Sequence, residues 1–252
     1  MFKYFIFLLF LVFSLEAKNG DRNAVVVFAS GNNKFVLPQV IKSFNLLYPD
    51  TKIIVEYGAT GDLASAILDG VYYDIFFAAD MVTPEEIYIA KKSATPAKKY
   101  AQGILVLFVP PDKTLGQKKL NILKDKKIID ITVANPKTAP YGKAAIEVLK
   151  NTKLFDSLSD KIKYSTDIST VIKNTIWYDA AGFLSKSGIY SLPNAYKTED
   201  LYWIEIEQAL YTPIIQGYVV SKAGLENQHV IKFLNFLLSK DGQNIYKING
   251  YK

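Results

Sequence analysis

Residues 132–145 read Thr-Val-Ala-Asn-Pro-Lys-Thr-Ala-Pro-Tyr-Gly-Lys-Ala-Ala, and this stretch is the most informative part of the chain. Its β-branched start predicts a short strand that ends at the Asn-Pro pair. Pro140 predicts the first turn of a helix, because proline lacks the N–H that would have no intrahelical partner there. The amides of Tyr141 and Gly142 would then be free. A helix start of this kind favours a bound anion, through its free N–H groups and the positive end of its dipole.

Strands and helices alternate along the rest of the chain. Continuous apolar runs predict buried strands at 24–29, 53–57, 75–78, 104–109 and 128–133. Helical periodicity predicts helices at 35–48, 63–68, 85–92, 230–238 and 242–248, besides the one that begins at Tyr141. This alternation predicts an α/β protein with parallel sheets.

The composition excludes several classes of protein. The chain of 252 residues has a formal charge of +6 and no cysteine, so it forms no disulfide and carries no lipid on a cysteine. Its lysines are scattered, which is typical of a solvated surface and disfavours nucleic acid as a binding partner. The one histidine, His229, is expected on the surface, because a lone histidine without cysteine cannot build the usual transition-metal site.

The first residues predict export. A positively charged start and an apolar run at 4–15 precede the small residue Ala17. We expect residues 1–17 to be a cleaved signal peptide and the mature protein to be periplasmic. The alternative, an uncleaved membrane anchor, is disfavoured because the run is short for a membrane span.

Four segments share one pattern: a strand ends, small or polar residues follow, and a helix begins. They are 30–33, 58–62, 140–142 and 165–169. Each offers backbone amides, and the first two add an Asn or Thr side chain as a donor. If these helix starts converge, they form a neutral cage of hydrogen-bond donors. Such a cage suits a fully ionised tetrahedral oxyanion, whose oxygens only accept hydrogen bonds. Taken singly, each segment is better explained as an ordinary helix cap, because such caps are common.

Two acidic residues, Asp74 and Asp80, flank the predicted strand 75–78. They could form an acid pair, but capping of the following turn is the favoured interpretation. The sequence contains no Gly-x-Ser-x-Gly, His-Glu-x-x-His or phosphate-loop motif. This counts against a secreted hydrolase on an α/β scaffold.

The chain resembles the periplasmic molybdate-binding proteins of ABC importers. The resemblance starts from the Ala-Asn-Pro-Lys-Thr-Ala-Pro-Tyr-Gly segment and continues in order over nearly the whole mature chain. Its further motifs are Val-Phe-Ala-Ser-Gly-Asn at 27–32, Tyr-Gly-Ala-Thr-Gly-Asp-Leu at 57–63, Tyr-Asp-Ile-Phe-Phe-Ala-Ala-Asp at 73–80 and Ala-Gly-Phe-Leu-Ser at 181–185.

The resemblance implies the type II periplasmic-binding-protein fold, with two α/β lobes, two parallel-rich sheets and a ligand cleft between the lobes. Lobe 1 would comprise 24–103 and 214–252, and lobe 2 would comprise 104–213. Carried over residue by residue, the ligand-binding positions are Asn32, Thr60, Tyr141, Ile168 and Ser185. Tyr141 and Ile168 would donate only backbone N–H groups, whereas the other three would use side chains.

The function that the resemblance implies is capture of molybdate or tungstate for an ABC importer. The ion would be cargo, held by those same residues, with no cofactor, no separate metal site and no catalysis. An inner-membrane permease would be the partner of a monomeric receptor. The alternatives are a receptor for another oxyanion such as sulfate, a secreted hydrolase, or a surface interaction protein that keeps the fold without transport.

Overall fold

The structure is a computed structural model that describes residues 23–252. The predicted signal peptide, residues 1–17, lies outside this part of the chain. Among the described residues, no helix is long and apolar enough to span a bilayer.

Strands and helices alternate as predicted. The strands are β1 (Ala24–Ser30), β2 (Lys52–Gly58), β3 (Ile75–Phe77), β4 (Lys98–Gly103), β5 (Leu105–Phe108), β6 (Ile131–Ala134), β7 (Ile162–Ser165), β8 (Ala181–Ser185), β9 (Trp203–Glu205) and β10 (Ile214–Val220). The α-helices are α1 (Leu37–Leu47), α2 (Thr60–Leu68), α3 (Val82–Ile89), α4 (Leu115–Lys118), α5 (Pro140–Asn151), α6 (Phe155–Leu158), α7 (Ile168–Trp177), α8 (Lys186–Ser191), α9 (Lys222–Glu226), α10 (Gln228–Leu238) and α11 (Lys240–Ile248). Short 3₁₀ helices lie at Gly31–Phe35, Lys119–Lys124, Ser159–Lys161, Asn194–Tyr196 and Gln208–Leu210.

The first sheet has the strand order β2-β1-β3-β10-β4. Strand β1 pairs in parallel with β2 and β3, whereas β10 runs antiparallel to both β3 and β4. Every residue of β1 is buried. Its odd-numbered apolar residues pack into one cluster and its even-numbered ones into another, so the sheet is covered on both faces.

The second sheet repeats this arrangement with the order β7-β6-β8-β5-β9. Strand β6 pairs in parallel with β7 and β8, and β5 runs antiparallel to β8 and β9. The predicted α/β fold with two parallel-rich sheets is therefore confirmed. The alternation alone predicts fully parallel sheets, and this prediction is wrong. Each sheet has one strand that runs antiparallel to its neighbours.

The chain crosses between the sheets at two adjacent places. It leaves the first sheet at Gly103, enters the second at Leu105, and returns to the first at Ile214. Gly103 and Ile214 are paired across β4 and β10, so the two crossings lie side by side. We call the first sheet with its helices lobe 1 and the second sheet with its helices lobe 2. The exact lobe boundaries at 103/104 and 213/214 stay a prediction.

The expectations for three polar residues, Asp74, Asp80 and His229, are met only in part. Asp80 caps the next turn as predicted, because it accepts from the Thr83 N–H at 2.8 Å. Asp74 does not cap a turn. It accepts instead from the Val26 N–H and the Tyr72 hydroxyl, at 2.8 and 2.7 Å. His229 is half-buried rather than on the open surface, with Nδ1 2.6 Å from a threonine hydroxyl.

Candidate functional site

The starts of four helices meet around one small cavity between the lobes. Lobe 1 contributes Ser30, Gly31, Asn32, Ala59, Thr60 and Ala79 to its wall, and lobe 2 contributes Ala139, Pro140, Tyr141, Asp167 and Ile168. The space available to the centre of a water molecule is only about 10 Å³. A tetrahedral oxyanion is larger than a water molecule, so its entry requires the lobes to move apart.

Helices α2 and α5 both begin at this cavity without a side-chain cap. Their N-cap residues are Ala59 and Ala139, which have no side-chain oxygen to accept from the first-turn amides. The Gly61 N–H is used across the cleft, where it donates to the Thr138 carbonyl at 2.9 Å. The two helix starts therefore face each other and give the cavity a positive electrostatic potential.

Helix α7 is capped, but its cap leaves the first amide unused. The Asp167 carboxylate accepts from the N–H groups of Ser169 and Thr170, at 2.8 and 2.9 Å. It also accepts from both of their hydroxyls. These bonds do not involve the N–H of Ile168, the first residue of the helix. That N–H is the group that the resemblance assigns to the ligand.

The Thr60 hydroxyl is placed to donate into the cavity. The residue is buried, and its Oγ1 accepts from the Ala79 N–H at 3.1 Å. A hydroxyl that already accepts still has its one hydrogen to give. Thr60 therefore supplies a side-chain donor next to the backbone amides, as its expected role requires.

The Asn32 side chain points away from the cavity, which contradicts its expected role as a side-chain donor. Its Nδ2 donates to Gln216 Oε1 at 3.0 Å and to the Tyr251 hydroxyl at 2.9 Å. Its Oδ1 accepts from the Ser30 hydroxyl at 2.8 Å. Because both Nδ2 hydrogens are used, Asn32 can offer a ligand only its backbone N–H.

Tyr141 lines the cavity, and its phenol is buried beside the crossing strands. The hydroxyl lies 3.3 Å from Gln216 Nε2, which donates to it. Burial raises the pKa of Tyr141 well above its usual value, and the pKa of the neighbouring Tyr100 likewise. Both phenols are therefore neutral at physiological pH.

Ser185 is not among the residues that line the cavity. It ends β8, and its hydroxyl accepts from the Gly188 N–H at 3.2 Å and from the Ser187 hydroxyl at 3.1 Å. Ser185 is the N-cap of α8, and its side-chain oxygen is bonded to the first turn of that helix. The structure thus brings together four of the expected positions, Asn32, Thr60, Tyr141 and Ile168, and leaves Ser185 outside.

Sequence reasoning missed two residues of this region. Asp167 lies in the predicted helix start at 165–169 without being predicted as a site residue, yet it lines the cavity. Gln216 was not singled out, yet it is fully buried and bonded to two residues that line the cavity. The signal for Gln216 was available, because it is a polar residue inside the apolar strand Ile-Ile-Gln-Gly-Tyr-Val-Val.

A larger groove of about 460 Å³ adjoins the cavity, with which it shares Ala79, Ala139 and Pro140. Residues of both lobes line it, among them Asp80, Lys137 and Lys143. Within residues 23–252, no group of histidine, aspartate and glutamate is arranged to hold a metal ion.

Comparison with known proteins assigns this arrangement to a family. Residues 25–252 match the model of the bacterial extracellular solute-binding proteins. The chain belongs to that family. It is 30% identical to the molybdate-binding protein ModA of Azotobacter vinelandii over 204 residues, which is 79% of each protein. It is 28% identical to ModA of Rhodobacter capsulatus, over 77% of this chain and 75% of that one.

A solved structure of a similar protein shows the same fold. The periplasmic molybdate-binding protein of Azotobacter vinelandii superposes with a TM-score of 0.82 at 26% identity, over 90% of this chain and 98% of that one. The resemblance to molybdate-binding proteins and the two-lobed periplasmic-binding-protein fold are therefore confirmed.

Proposed function

We propose that this solute-binding protein is the periplasmic receptor of an ABC importer and carries molybdate or tungstate between its lobes. The observation that carries the proposal is the meeting of four helix starts and the Thr60 hydroxyl at one cavity. The similarity to molybdate-binding relatives supports the same ligand class. The ion is cargo held without chemistry, and the receptor acts as a monomer that delivers it to a permease.

The chemistry of the wall favours a fully ionised oxyanion. The groups offered to a ligand are N–H and O–H donors, which match oxygens that only accept. The one carboxylate in the wall, Asp167, is already engaged by the amides and hydroxyls of Ser169 and Thr170. Phosphate keeps a proton near neutral pH and needs an acceptor for it, so this wall disfavours phosphate.

Size gives a second criterion. Hydrogen bonds weaken when they are stretched, so a cage set by four helix starts suits one range of oxyanion radius. Molybdate and tungstate are close in size, whereas sulfate is smaller. We therefore expect sulfate to bind poorly compared with either larger ion.

The test is thermal unfolding of the mature protein with molybdate, tungstate, chromate, sulfate and phosphate. A ligand that binds only the folded state stabilises it, by about 2.7 kcal/mol at a hundredfold excess over the dissociation constant. We expect molybdate and tungstate to raise the melting temperature most. If neither ion raises it at millimolar concentration, the proposal fails, and a shift with sulfate alone would make the protein a sulfate receptor.

Genes beside this one would separate transport from a surface interaction role. A receptor is expected next to genes for a permease and an ATPase. The purified protein could bind the ion although no such genes lie nearby and deletion of its gene does not change molybdate uptake. That result would instead favour an interaction protein that has kept the fold.

A further inference from the structure

Gln216 lies where the two lobes are joined. It belongs to β10, the strand by which the chain returns to lobe 1, and its side chain is completely buried among apolar neighbours on the strand. A buried amide is costly unless its polar atoms are bonded. Here they are, since Oε1 accepts from Asn32 Nδ2 at 3.0 Å and from the Tyr100 hydroxyl at 2.7 Å.

The nitrogen of the same amide reaches the other lobe. Gln216 Nε2 donates to the Tyr141 hydroxyl at 3.3 Å. Asn32 stands at the start of the 3₁₀ helix of lobe 1, and Tyr141 stands in the first turn of α5 in lobe 2. Both residues line the anion cavity, one from each side. One planar amide therefore connects two opposing walls of the site.

The neighbouring crossing strand has a glycine, Gly103, at the point where a side chain would block this contact. A Cβ at Gly103 would overlap the Tyr141 hydroxyl and would lie 2.9 Å from Gln216 Nε2. Gly103 pairs with Ile214 on β10, two residues before Gln216. The absence of a side chain at Gly103 thus lets the phenol reach the amide at the crossing.

We propose that Gln216 is a positioning residue of the anion site. Its amide oxygen holds Asn32 of lobe 1 and its amide nitrogen holds Tyr141 of lobe 2, so it fixes the two walls of the cavity relative to each other. This inference rests on the proposed oxyanion function. Gln216 itself does not line the cavity. Its effect is preorganisation, because donors that are already held in place lose less conformational freedom when the ligand binds.

The experiment compares oxyanion affinity and stability in variants of the mature protein. Tyr141→Phe removes only the bond to lobe 2, whereas Gln216→Leu removes that bond together with the bonds from Asn32 and Tyr100. Tyr211→Phe is the matched control, because its buried hydroxyl accepts from the Leu105 N–H at 3.2 Å beside the same crossing, without a bond to Gln216. Each variant is titrated with molybdate by calorimetry, and its melting temperature is measured without ligand.

We expect Tyr141→Phe to weaken molybdate binding about twofold to tenfold, the range that corresponds to one net hydrogen bond. Gln216→Leu should weaken it more, and the double variant should be no weaker than Gln216→Leu alone, because both changes break the same connection. Tyr211→Phe should lower the melting temperature and leave the affinity unchanged.

Unchanged affinity in Tyr141→Phe and Gln216→Leu, with lowered melting temperatures, would mean that the amide is merely structural. If Gln216→Leu does not fold, an unchanged affinity in Tyr141→Phe overturns the inference by itself. Equal losses in Tyr141→Phe and Tyr211→Phe would indicate general loosening of the crossing and would also overturn it. The wild-type titration separates the two claims: no binding there defeats the proposed function, whereas binding there with unaffected variants defeats only the positioning role.

Discussion

Thr60 provides a side-chain hydroxyl at the anion cavity. Its oxygen accepts from the Ala79 N–H, so its hydrogen is available to an oxyanion. A hydrogen bond to a charged group contributes roughly 1.5–3 kcal/mol, which corresponds to about tenfold or more in affinity. Thr60→Val keeps the shape and removes the donor, so calorimetry should show a loss of this size.

Thr60→Ser is the control for that change, because it retains the hydroxyl and should bind nearly as the wild type does. Thr60→Val also removes the acceptor of the Ala79 N–H, and a lower melting temperature is expected from that loss alone. Equal affinities for the valine and serine variants would show that the hydroxyl does not contact the ion.

Asp167 allows the protonation state of the ligand to be tested. Asparagine is as good an N-cap as aspartate, so Asp167→Asn should keep α7 in place. It removes a negative charge from the wall of an anion site, and we therefore expect a lower dissociation constant for molybdate in calorimetric titrations. Weaker binding of the preferred oxyanion would contradict this, since it would mean that the carboxylate accepts a proton from the ligand.

At the scale of elements, much of the site follows from local sequence. The order of strand, small residues and helix is a local pattern, and it placed the starts of α2, α5 and α7 within a few residues of their observed positions. Pro140 is the first residue of α5, as the position of proline in helices predicts. These three starts carry Thr60, Tyr141 and Ile168 to the cavity.

The remaining features depend on partners that are distant in sequence. The Asn32 side chain bonds to Tyr251, 219 residues away, and to Gln216, 184 residues away, so no local pattern shows that it turns from the cavity. Ser185 resembles a ligand position by alignment, but its hydroxyl caps α8 instead. The antiparallel strands β5 and β10 depend on where the chain crosses between the sheets, which alternation alone cannot predict.

At the scale of the molecule, closure of the lobes brings α2 close to the loop before α5. The Gly61 N–H donates to the Thr138 carbonyl, and a Cβ at Gly61 would lie 3.2 Å from the Thr138 Cα. Gly61→Leu should therefore hold the lobes apart and weaken molybdate binding strongly. Small-angle scattering should show compaction on adding molybdate for the wild type and little for this variant.

Ser65→Leu is the control for bulk on the same helix, because Ser65 is an exposed residue of α2. It should bind molybdate and become compact as the wild type does. If Gly61→Leu also binds with unchanged affinity, the contact between Gly61 and Thr138 is not part of the closed, ligand-holding arrangement.

We expect the four helix starts to hold one fully ionised oxyanion per chain. Calorimetric titration of the mature wild-type protein with molybdate tests it most directly, followed by displacement with tungstate and with sulfate. We expect one molybdate per chain, displaced by tungstate at comparable concentration and not by equimolar sulfate. No heat of binding with molybdate or tungstate, or displacement of molybdate by equimolar sulfate, would contradict it.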